Sequence, residues 1–445
     1  MLDQAFGALA AVENFLWGYI GMPVIVALGL YLSCKSKFVQ LRKFPAIFRN
    51  FVTAFSQGES EGGLHPMRAF FASIGGSLGI GNVIAVAVAI QIGGPGTIVW
   101  IWMTAIIGSL IKYSEVYIGI SRRRTMKDGS YRGGPMYFLQ DAFGKKWPVT
   151  LFCVLMSIYS VEIYQFGVVT SLSSSALGVD KLTVALVFLS IVMLVEKGGF
   201  KRIGLIASIL APCLVFVYVA MSTYVLVANS ALLPGVIVDI VHSAFTARAA
   251  EGGFIGSTMM LAMSQGVRRG CYSCDIGVGY SSIIHSASET KSAQKQASLL
   301  IFEIFMDTFF VCTMSVLLVL VTGTWTHETD QLALVQTALG RYFPHMDLFV
   351  PLFLSLLGYG TVTTYFSAGM HTMNFWMPKW GRKIMYVYST IGFLTFSFVG
   401  NDKAMSVMSC VGFSLLVLNA LGIWKLRKSV SFDVATSAQT QPVVG

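Results

Sequence analysis

The chain has 445 residues, 55% hydrophobic and 12% charged, with a mean hydropathy of +0.70. Soluble proteins carry about 25% charged residues, so the composition excludes a soluble domain and indicates an all-α polytopic membrane protein. The net charge of +10 does not indicate nucleic-acid binding, because the cationic residues lie at the ends of apolar runs, where they set membrane topology.

The apolar runs predict the membrane-spanning helices. A spanning helix needs about 20 apolar residues. On that criterion we predict about eleven spans, at residues 15–33, 67–92, 97–120, 149–173, 182–195, 203–227, 254–285, 297–321, 348–375, 385–399 and 405–424. Asp3 and Glu13 precede the first span, so the cationic start of a signal peptide is missing.

The loops predict an orientation. Lysine and arginine residues concentrate in the loops that follow odd-numbered spans, and the other loops carry only Lys181, Arg248, Arg341 and Lys403. Positive charge marks the cytoplasmic side, which places the N-terminus outside and the C-terminus inside. Residues 35–55 mix basic and aromatic side chains and are expected to lie along the cytoplasmic interface.

The whole chain, residues 1–445, is interpreted as one integral-membrane transporter domain. The two strongly interrupted spans are the second and the seventh, so spans two to six and seven to eleven form two candidate halves of opposite topology. We place an N-terminal helix and interfacial segment at 1–60, a first repeat at 64–227 and a second repeat at 236–425. Residues 429–445 are expected to form a disordered cytoplasmic tail.

The second span contains a glycine-rich break at Gly75, Gly76, Gly79 and Gly81, followed by Asn82. Each glycine costs about 1 kcal/mol of helix propensity relative to alanine, and a broken helix at bilayer depth is tolerated only where it lines a cavity. Exposed carbonyl groups there suit a cation, and N–H groups suit a carboxylate. The alternative is a small-residue face for helix packing.

Two polar pairs follow in the third and fourth spans. Lys112 and Glu115 lie three residues apart, share a helix face and can neutralise each other, which favours a structural or gating pair. Glu162 and Gln165 share a face of the fourth span, and the Gln165 amide can both donate to and accept from a zwitterion. An interhelical hydrogen bond is the alternative for Gln165.

The seventh span is interrupted at residues 269–280. Arg268, Arg269 and Asp275 are costly at bilayer depth and should face a cavity or a partner. The arginines could instead belong to a cytoplasmic vestibule. Ser273 is a candidate ligand contact, and Asp275 is either a gate or a structural pair.

The remaining candidate functional residues are polar side chains in the eighth and ninth spans. Asp307 and Thr308 are expected to bond neighbouring helix ends. Thr361, Thr363 and Thr364 offer hydroxyl oxygens to a small hard cation, although single threonines often bond their own helix. The sequence has neither a metalloprotease motif nor a phosphate-binding loop, so transport by this chain would use an ion gradient or none.

Taken together, the motifs resemble the sodium:alanine symporter family, also called the alanine-or-glycine:cation symporters. The similarity covers roughly residues 67–380. It rests on GxGN at 79–82, GGPG at 93–96, WxW at Trp100 and Trp102, Lys112 and Glu115, GGPMY at 133–137, the RG-aromatic-S-x-acid-x-G-x-G run at 269–279, and Asp307 with Thr308.

The resemblance implies a LeuT-like five-plus-five inverted repeat with one extra N-terminal helix, and sodium-coupled uptake of small neutral amino acids. It implies that the substrate carboxylate lies at Gly79, Gly81 and Asn82, and that Gln165 contacts the substrate. For sodium it implies the carbonyl groups of the broken helix and a hydroxyl of the ninth span. The implied sodium residues are Gly75, Leu78 and Thr361.

The chain departs from the family pattern around the expected pocket, as a divergent member would. The family threonine between the two glycines is Ile80, and the asparagine-glutamate pair after Ser273 is Cys274 and Asp275. The other departures are Tyr272 for phenylalanine, Tyr280 and Gly360 for serine, and Tyr365 for tryptophan. We therefore add Tyr272, Ser273, Cys274 and Tyr365 to the expected substrate contacts, and Arg269 and Asp275 to the gating residues.

The sequence thus predicts a multi-pass bacterial inner-membrane symporter that brings in a small neutral amino acid with sodium. Sodium is expected as the coupling ion, with no other cofactor and no nucleic-acid partner, and the chain is expected to act as a monomer in the lipid bilayer. Two alternatives stay open. The first is proton coupling through Asp275 or Glu162, and the second is a sensor or channel that kept the fold.

Overall fold

The structure is a computed structural model that describes residues 2–56, 64–127, 129–245, 259–326 and 333–434. These residues form helices almost throughout, with one short hairpin between Arg124–Thr125 and Tyr131–Arg132. Part of the predicted seventh span, residues 254–258, lies outside the described residues.

The N-terminal helix is longer than the sequence predicts. Helix α1 (Leu2–Phe15) continues through a π-helical segment, Leu16–Gly21, into α2 (Met22–Lys35). The interfacial segment forms α3 (Val39–Arg42) and α4 (Phe44–Phe55). On α4, Ile47 and Ala54 are buried and Phe51 packs against Phe70 and Phe302, so one face of this amphipathic helix is held against the bundle.

The first predicted repeat and the start of the second together contain nine helices. They are α5 (Pro66–Ser77), α6 (Val86–Gly93), α7 (Thr97–Ser121), α8 (Pro135–Phe143), α9 (Trp147–Tyr159), α10 (Ile163–Leu177), α11 (Lys181–Glu196), α12 (Gly199–Ala228) and α13 (Leu233–Phe245). A π-helical turn, Gly81–Ala85, leads into α6. Helices α5 and α6 meet at an angle of 52°, as expected for a span broken at its glycines.

The rest of the described part of the second repeat contains eight helices. They are α14 (Met259–Cys274), α15 (Tyr280–Ser286), α16 (Ala293–Ile304), α17 (Thr313–Val321), α18 (Leu334–Gly340), α19 (Met346–Trp376), α20 (Gly381–Val399) and α21 (Asn401–Leu426). A π-helical segment, Phe305–Cys312, joins α16 to α17. Such segments occur frequently at functional sites.

The span count of eleven is not confirmed. Within the described residues, seven helices are long and apolar enough to cross a membrane, or eight when the bent α5–α6 pair counts as one span. Helices α11, with 16 residues, and α20, with 19, coincide with two further predicted spans but are not among those seven.

The predicted fourth span, residues 149–173, falls within one apolar span of the structure, Trp147–Leu177, but a short break interrupts it. Helix α9 ends at Tyr159 and α10 begins at Ile163, with Glu162 between them in a left-handed backbone conformation (φ 48°). The Glu162 side chain is buried, and its Oε2 atom has no hydrogen-bond partner within the described residues. The break therefore places a carboxyl group inside the bundle.

Loops that the sequence assigns to one side of the membrane contact one another. Leu64 pairs with Ser288, and Arg123 donates hydrogen bonds to the carbonyl oxygens of Ser288 and Thr290 at 2.6 and 2.8 Å. Arg122 lies 3.4 Å from the Ser429 hydroxyl. We call the end of the bundle that holds these loops the basic end. At the opposite end, Arg268 pairs with Glu13.

The first part of the expected C-terminal tail packs onto the bundle. The Ser431 carbonyl accepts a hydrogen bond from the Tyr113 hydroxyl at 2.7 Å, and the Val434 carbonyl accepts one from the Asn50 amide at 2.9 Å. Val430 and Val434 are buried. Residues 429–434 are thus ordered against α4 and α7, and residues 435–445 lie outside the described residues.

Candidate functional site

The break in the second span is a short non-helical turn at Leu78 and Gly79. Leu78 leaves the helical conformation (ψ 82°). The Gly79 N–H donates to the Ser77 carbonyl at 2.9 Å and to Asn82 Oδ1 at 3.1 Å, and the Asn82 N–H donates to the Gly79 carbonyl. These bonds replace the helical ones that would occupy the carbonyl oxygens of Gly75 and Leu78, so both oxygens are released from the helix.

Gln165 lies directly across this break. Its Oε1 atom accepts a hydrogen bond from the Ile80 N–H at 3.1 Å. A Cβ atom at position 79 would come within 2.6 Å of the Gln165 amide nitrogen and 2.7 Å of Thr361 Oγ1. Only glycine fits there, and the amide oxygen of Gln165 occupies the N–H group that a substrate carboxylate would use.

Asn82 holds the second half of the broken helix to the eighth span. Its Nδ2 atom donates to the Asp307 carboxylate, and its own carbonyl accepts from the Ser315 hydroxyl at 3.0 Å. Thr308 in turn lies 3.0 Å from the sulfur of Cys274. The prediction that Asp307 and Thr308 bond neighbouring helix ends is confirmed.

The seventh span breaks between Cys274 and Tyr280. Asp275, Gly277 and Gly279 all adopt left-handed backbone conformations, with φ values of 51°, 73° and 101°. Asp275 and Cys274 are buried in the break. The loop carbonyl of Gly277 is held by the Asn419 amide at 2.8 Å. The two glycines supply the positive φ angles that the turn requires.

Lys112 joins the two breaks. Its ammonium group donates to the Cys274 carbonyl at 2.8 Å and to Glu303 Oε1 at 2.8 Å. Glu303 Oε1 also accepts a hydrogen bond from the hydroxyl of Ser77, the last residue of α5. The expectation that Lys112 and Glu115 neutralise each other is therefore wrong, because the buried ion pair is Lys112–Glu303.

Glu115 contacts the second half of the seventh span, which begins at α15. Its carboxyl group faces the backbone N–H groups of Gly279 and Ser282, at the start of α15. Lys112 meets the C-terminal end of α14. A cation at a helix C-terminus and an anion at a helix N-terminus both complement the helix dipole. The i, i+3 pair on α7 thus complements both halves of the broken span.

Buried polar groups face the two breaks without hydrogen-bond partners in the described part of the chain. They include the hydroxyls of Tyr272, Ser273 and Tyr365. A Cβ atom at Gly81 would lie 3.1 Å from the Tyr272 ring, and Tyr365 stacks on Tyr280 with ring centres 4.2 Å apart. An unpaired buried polar group costs about 1–3 kcal/mol, so their clustering favours a site that binds a polar molecule.

Arg269 lies on the same side of α14 as these hydroxyls. It is 9% exposed and lies beside Tyr164 and Tyr272, and its Nε atom lacks a partner within the described residues. The neighbouring Arg268 turns to Glu13 at the opposite end from the basic loops. The two arginines therefore do not form a vestibule at the basic end.

The residues expected for sodium meet at the α5–α19 contact. The break releases the carbonyl oxygens of Gly75 and Leu78, and the Thr361 hydroxyl lies at Gly79. Oxygen ligands of this kind suit a hard cation, so these residues fit the ion. At Gly360 a Cβ atom would lie 2.6 Å from the Gly75 carbonyl oxygen, which leaves no room for a serine.

Sequence reasoning missed Glu303. It is fully buried, pairs with Lys112 and leaves its Oε2 atom without a partner within the described residues. The available signal was a carboxylate one helical turn before Asp307, inside a predicted span.

The chain matches the sequence profile described as the sodium:alanine symporter family over residues 3–439. It is 28% identical to a sodium/alanine symporter of Methanococcus maripaludis, over 79% of each chain. It is 27% identical to a probable sodium/glutamine symporter of Bacillus subtilis, over 96% of this chain and 90% of that protein.

The fold is similar to that of solved transporter structures. The crystal structure of MhsT in complex with L-phenylalanine superposes with a TM-score of 0.54 at 16% sequence identity, over 85% of this chain and 98% of that one. This likeness confirms the LeuT-like fold expected from the sequence.

Proposed function

Because the chain belongs to the sodium:alanine symporter family, whose members are transporters, we propose that it carries a small neutral amino acid into the cell together with sodium. The observation that carries this proposal is the turn at Gly79, which lies against the Gln165 amide and the Thr361 hydroxyl, while the Tyr272 ring lies close to Gly81. Such a turn offers donors to a carboxylate and acceptors to a cation.

The substrate would bind between the two breaks. Its carboxylate would take the N–H groups at Ile80 and Gly81, which requires the Gln165 amide to move from Ile80 to the substrate. The ammonium group and side chain would face Tyr272, Ser273, Cys274 and Tyr365. The unpaired hydroxyls in this set support a small polar or neutral side chain.

Sodium would bind at the carbonyl groups of Gly75 and Leu78 and the Thr361 hydroxyl. Its ligands would come from α5 and α19, so ion binding would tie the broken span to the ninth. Binding of sodium and substrate would then favour one arrangement of the bundle, which is the basis of alternating access. We place the protein in the cytoplasmic membrane with the basic end inside.

Proteoliposome uptake tests this proposal. Labelled alanine, glycine, serine and glutamine would be offered with an inward sodium gradient, an equal potassium gradient, or no gradient. We expect accumulation of at least one of them only with sodium. Absence of gradient-dependent uptake for every neutral amino acid would contradict the proposal. The Asn82→Ala variant should lose uptake, and the matched Asn229→Ala variant, far from the breaks, should keep it.

Proton coupling is the second candidate, favoured by the buried Glu162 and Asp275 carboxyl groups at two of the breaks. Uptake that follows a pH gradient and ignores sodium would support it. Glu162→Gln and Asp275→Asn would then remove the pH-gradient dependence and leave exchange of substrate across the membrane.

A further inference from the structure

An apolar groove lies on the outer surface of the bundle and borders the break of the second span on its lipid-facing side. It has a volume of about 500 Å³. Its walls come from α4, α5, α12 and the eighth span, and they include Phe71, Ile74, Leu78, Val215, Phe216 and Phe310. Phe216 is 74% exposed, so the groove opens towards the surface that an apolar span presents to lipid.

The groove has a structural cause. Helices α5 and α12 touch closely at two points, because a Cβ atom at Gly204 would lie 2.5 Å from the Arg68 carbonyl and one at Gly75 would lie 2.9 Å from the Ala207 side chain. Beyond these points Pro212 interrupts the hydrogen-bond ladder of α12. The two helices are then separated by the groove.

The end of the groove nearest the basic loops is cationic. Arg68 lies one turn before Phe71 and shares its face of α5. Lys201 lies eleven residues before Pro212, which places it on the same face of α12 about 16 Å further along the axis. Both residues belong to the basic end of the bundle, where anionic headgroups would attract them.

We propose that this groove binds one acyl chain of an anionic phospholipid, with its headgroup at Arg68 and Lys201. The apolar lining favours an acyl chain, and the two cations beyond one end of the groove favour an anionic headgroup. The inner wall includes Leu78, the residue that directly follows the end of α5. A bound chain therefore packs against the break of the second span and stabilises its position.

Thermal unfolding of the purified full-length protein tests the proposal. The probes are mixed micelles of phosphatidylglycerol or phosphatidylcholine with identical acyl chains, and native mass spectrometry counts the retained lipid. We expect phosphatidylglycerol to raise the melting temperature more than phosphatidylcholine and to be retained preferentially. Equal stabilisation and retention of the two lipids would overturn the proposal.

Two variants locate the site. Ala220→Trp fills the groove and should abolish the preferential retention of phosphatidylglycerol, while the control Ile209→Trp, on the exposed side of α12 outside the groove, should keep it. Lys201→Gln should reduce the difference between the two lipids, and the control Lys145→Gln, in an exposed loop, should not. Full preferential retention in both Ala220→Trp and Lys201→Gln would contradict the assignment.

Discussion

Lys112 and Glu303 form a fully buried ion pair whose partners hold the ends of two different broken helices. The charge pair thereby couples the end of α5 to the end of α14. Removing one member of a buried pair typically costs about 3–5 kcal/mol, because the other charge is left uncompensated.

This relationship predicts a specific pattern of stability. Lys112→Met should lower the melting temperature strongly, because it strands Glu303. The double variant Lys112→Met, Glu303→Met should recover much of the loss, since it removes both charges. Thermal unfolding in detergent measures both. A double variant as unstable as Lys112→Met would show that the ion pair is not the cause.

The Asn82–Asp307 contact predicts that exchanging the two residue types restores uptake lost in a single variant. Asn82→Asp should impair uptake, because it places two carboxylates against each other in a buried site. Adding Asp307→Asn should restore part of the activity, since the exchanged pair can form the same hydrogen bond. Initial uptake rates in proteoliposomes are the measurement. If the double variant is no more active than Asn82→Asp, the contact does not act through this bond.

Gly79 predicts a steric effect. Gly79→Ala should abolish uptake, because its Cβ atom would come within 2.7 Å of Gln165 and Thr361. Gly18→Ala is the matched control, since nothing lies within 4 Å of a Cβ atom there. We expect that variant to retain wild-type uptake. Retained uptake in Gly79→Ala would contradict the structure of the break.

The proposed sodium site, formed by the Gly75 carbonyl and the Thr361 hydroxyl, predicts how substitutions change the sodium concentration needed for uptake. Thr361→Val should raise the sodium concentration for half-maximal uptake by about ten- to a hundredfold, since a hydrogen-bonding or ligand oxygen contributes about 1.5–3 kcal/mol next to a charge. Thr361→Ser keeps the hydroxyl and serves as the control.

Gly360→Ser should also raise the sodium concentration needed for half-maximal uptake, because its Cβ atom would displace the Gly75 carbonyl.

The contacts of Arg123 predict that it holds the loop containing Ser288 in place at the basic end. It binds two carbonyl oxygens and lies over the Tyr131 ring at 4.0 Å. Burial lowers the pKa of Arg123 to about 10, so it stays charged at neutral pH. Arg123→Met should increase the labelling rate of a cysteine introduced at Ser288, and the exposed control Arg124→Met should not. Equal labelling in the two variants would contradict this role.

The sequence predicted the helices and the broken spans better than the contacts between them. Apolar length marks a span, and clustered glycines mark the breaks at Gly79 and Gly279. The break at Glu162 gave no such signal, because its neighbours Ser160 and Val161 do not exclude a helix. The pairing of Lys112 depended on which distant helix supplied a carboxylate, and spacing along α7 could only suggest Glu115.

Among the site residues, the exposed backbone groups were predictable from the sequence and the side-chain partners were not. Backbone groups at Gly75, Leu78 and Gly79 were predictable, since the unwound turn itself exposes them. Side-chain partners such as Gln165 to Ile80, and Asn82 to Asp307, join residues more than 80 positions apart. Their geometry depends on the packing of α10 and the eighth span, which local pattern does not encode.

The packing of residues 429–434 has a consequence for biosynthesis. Lys35, Asn50 and Tyr113 hydrogen-bond to carbonyl groups of Arg427, Val434 and Ser431. Asn50, on the interfacial helix α4, therefore gains the Val434 carbonyl as a partner only after the chain has been synthesised as far as residue 434. Docking of α4 against residues 429–434 therefore follows synthesis of the last span, and a stop codon placed before residue 429 would remove the partners of Asn50 and Tyr113.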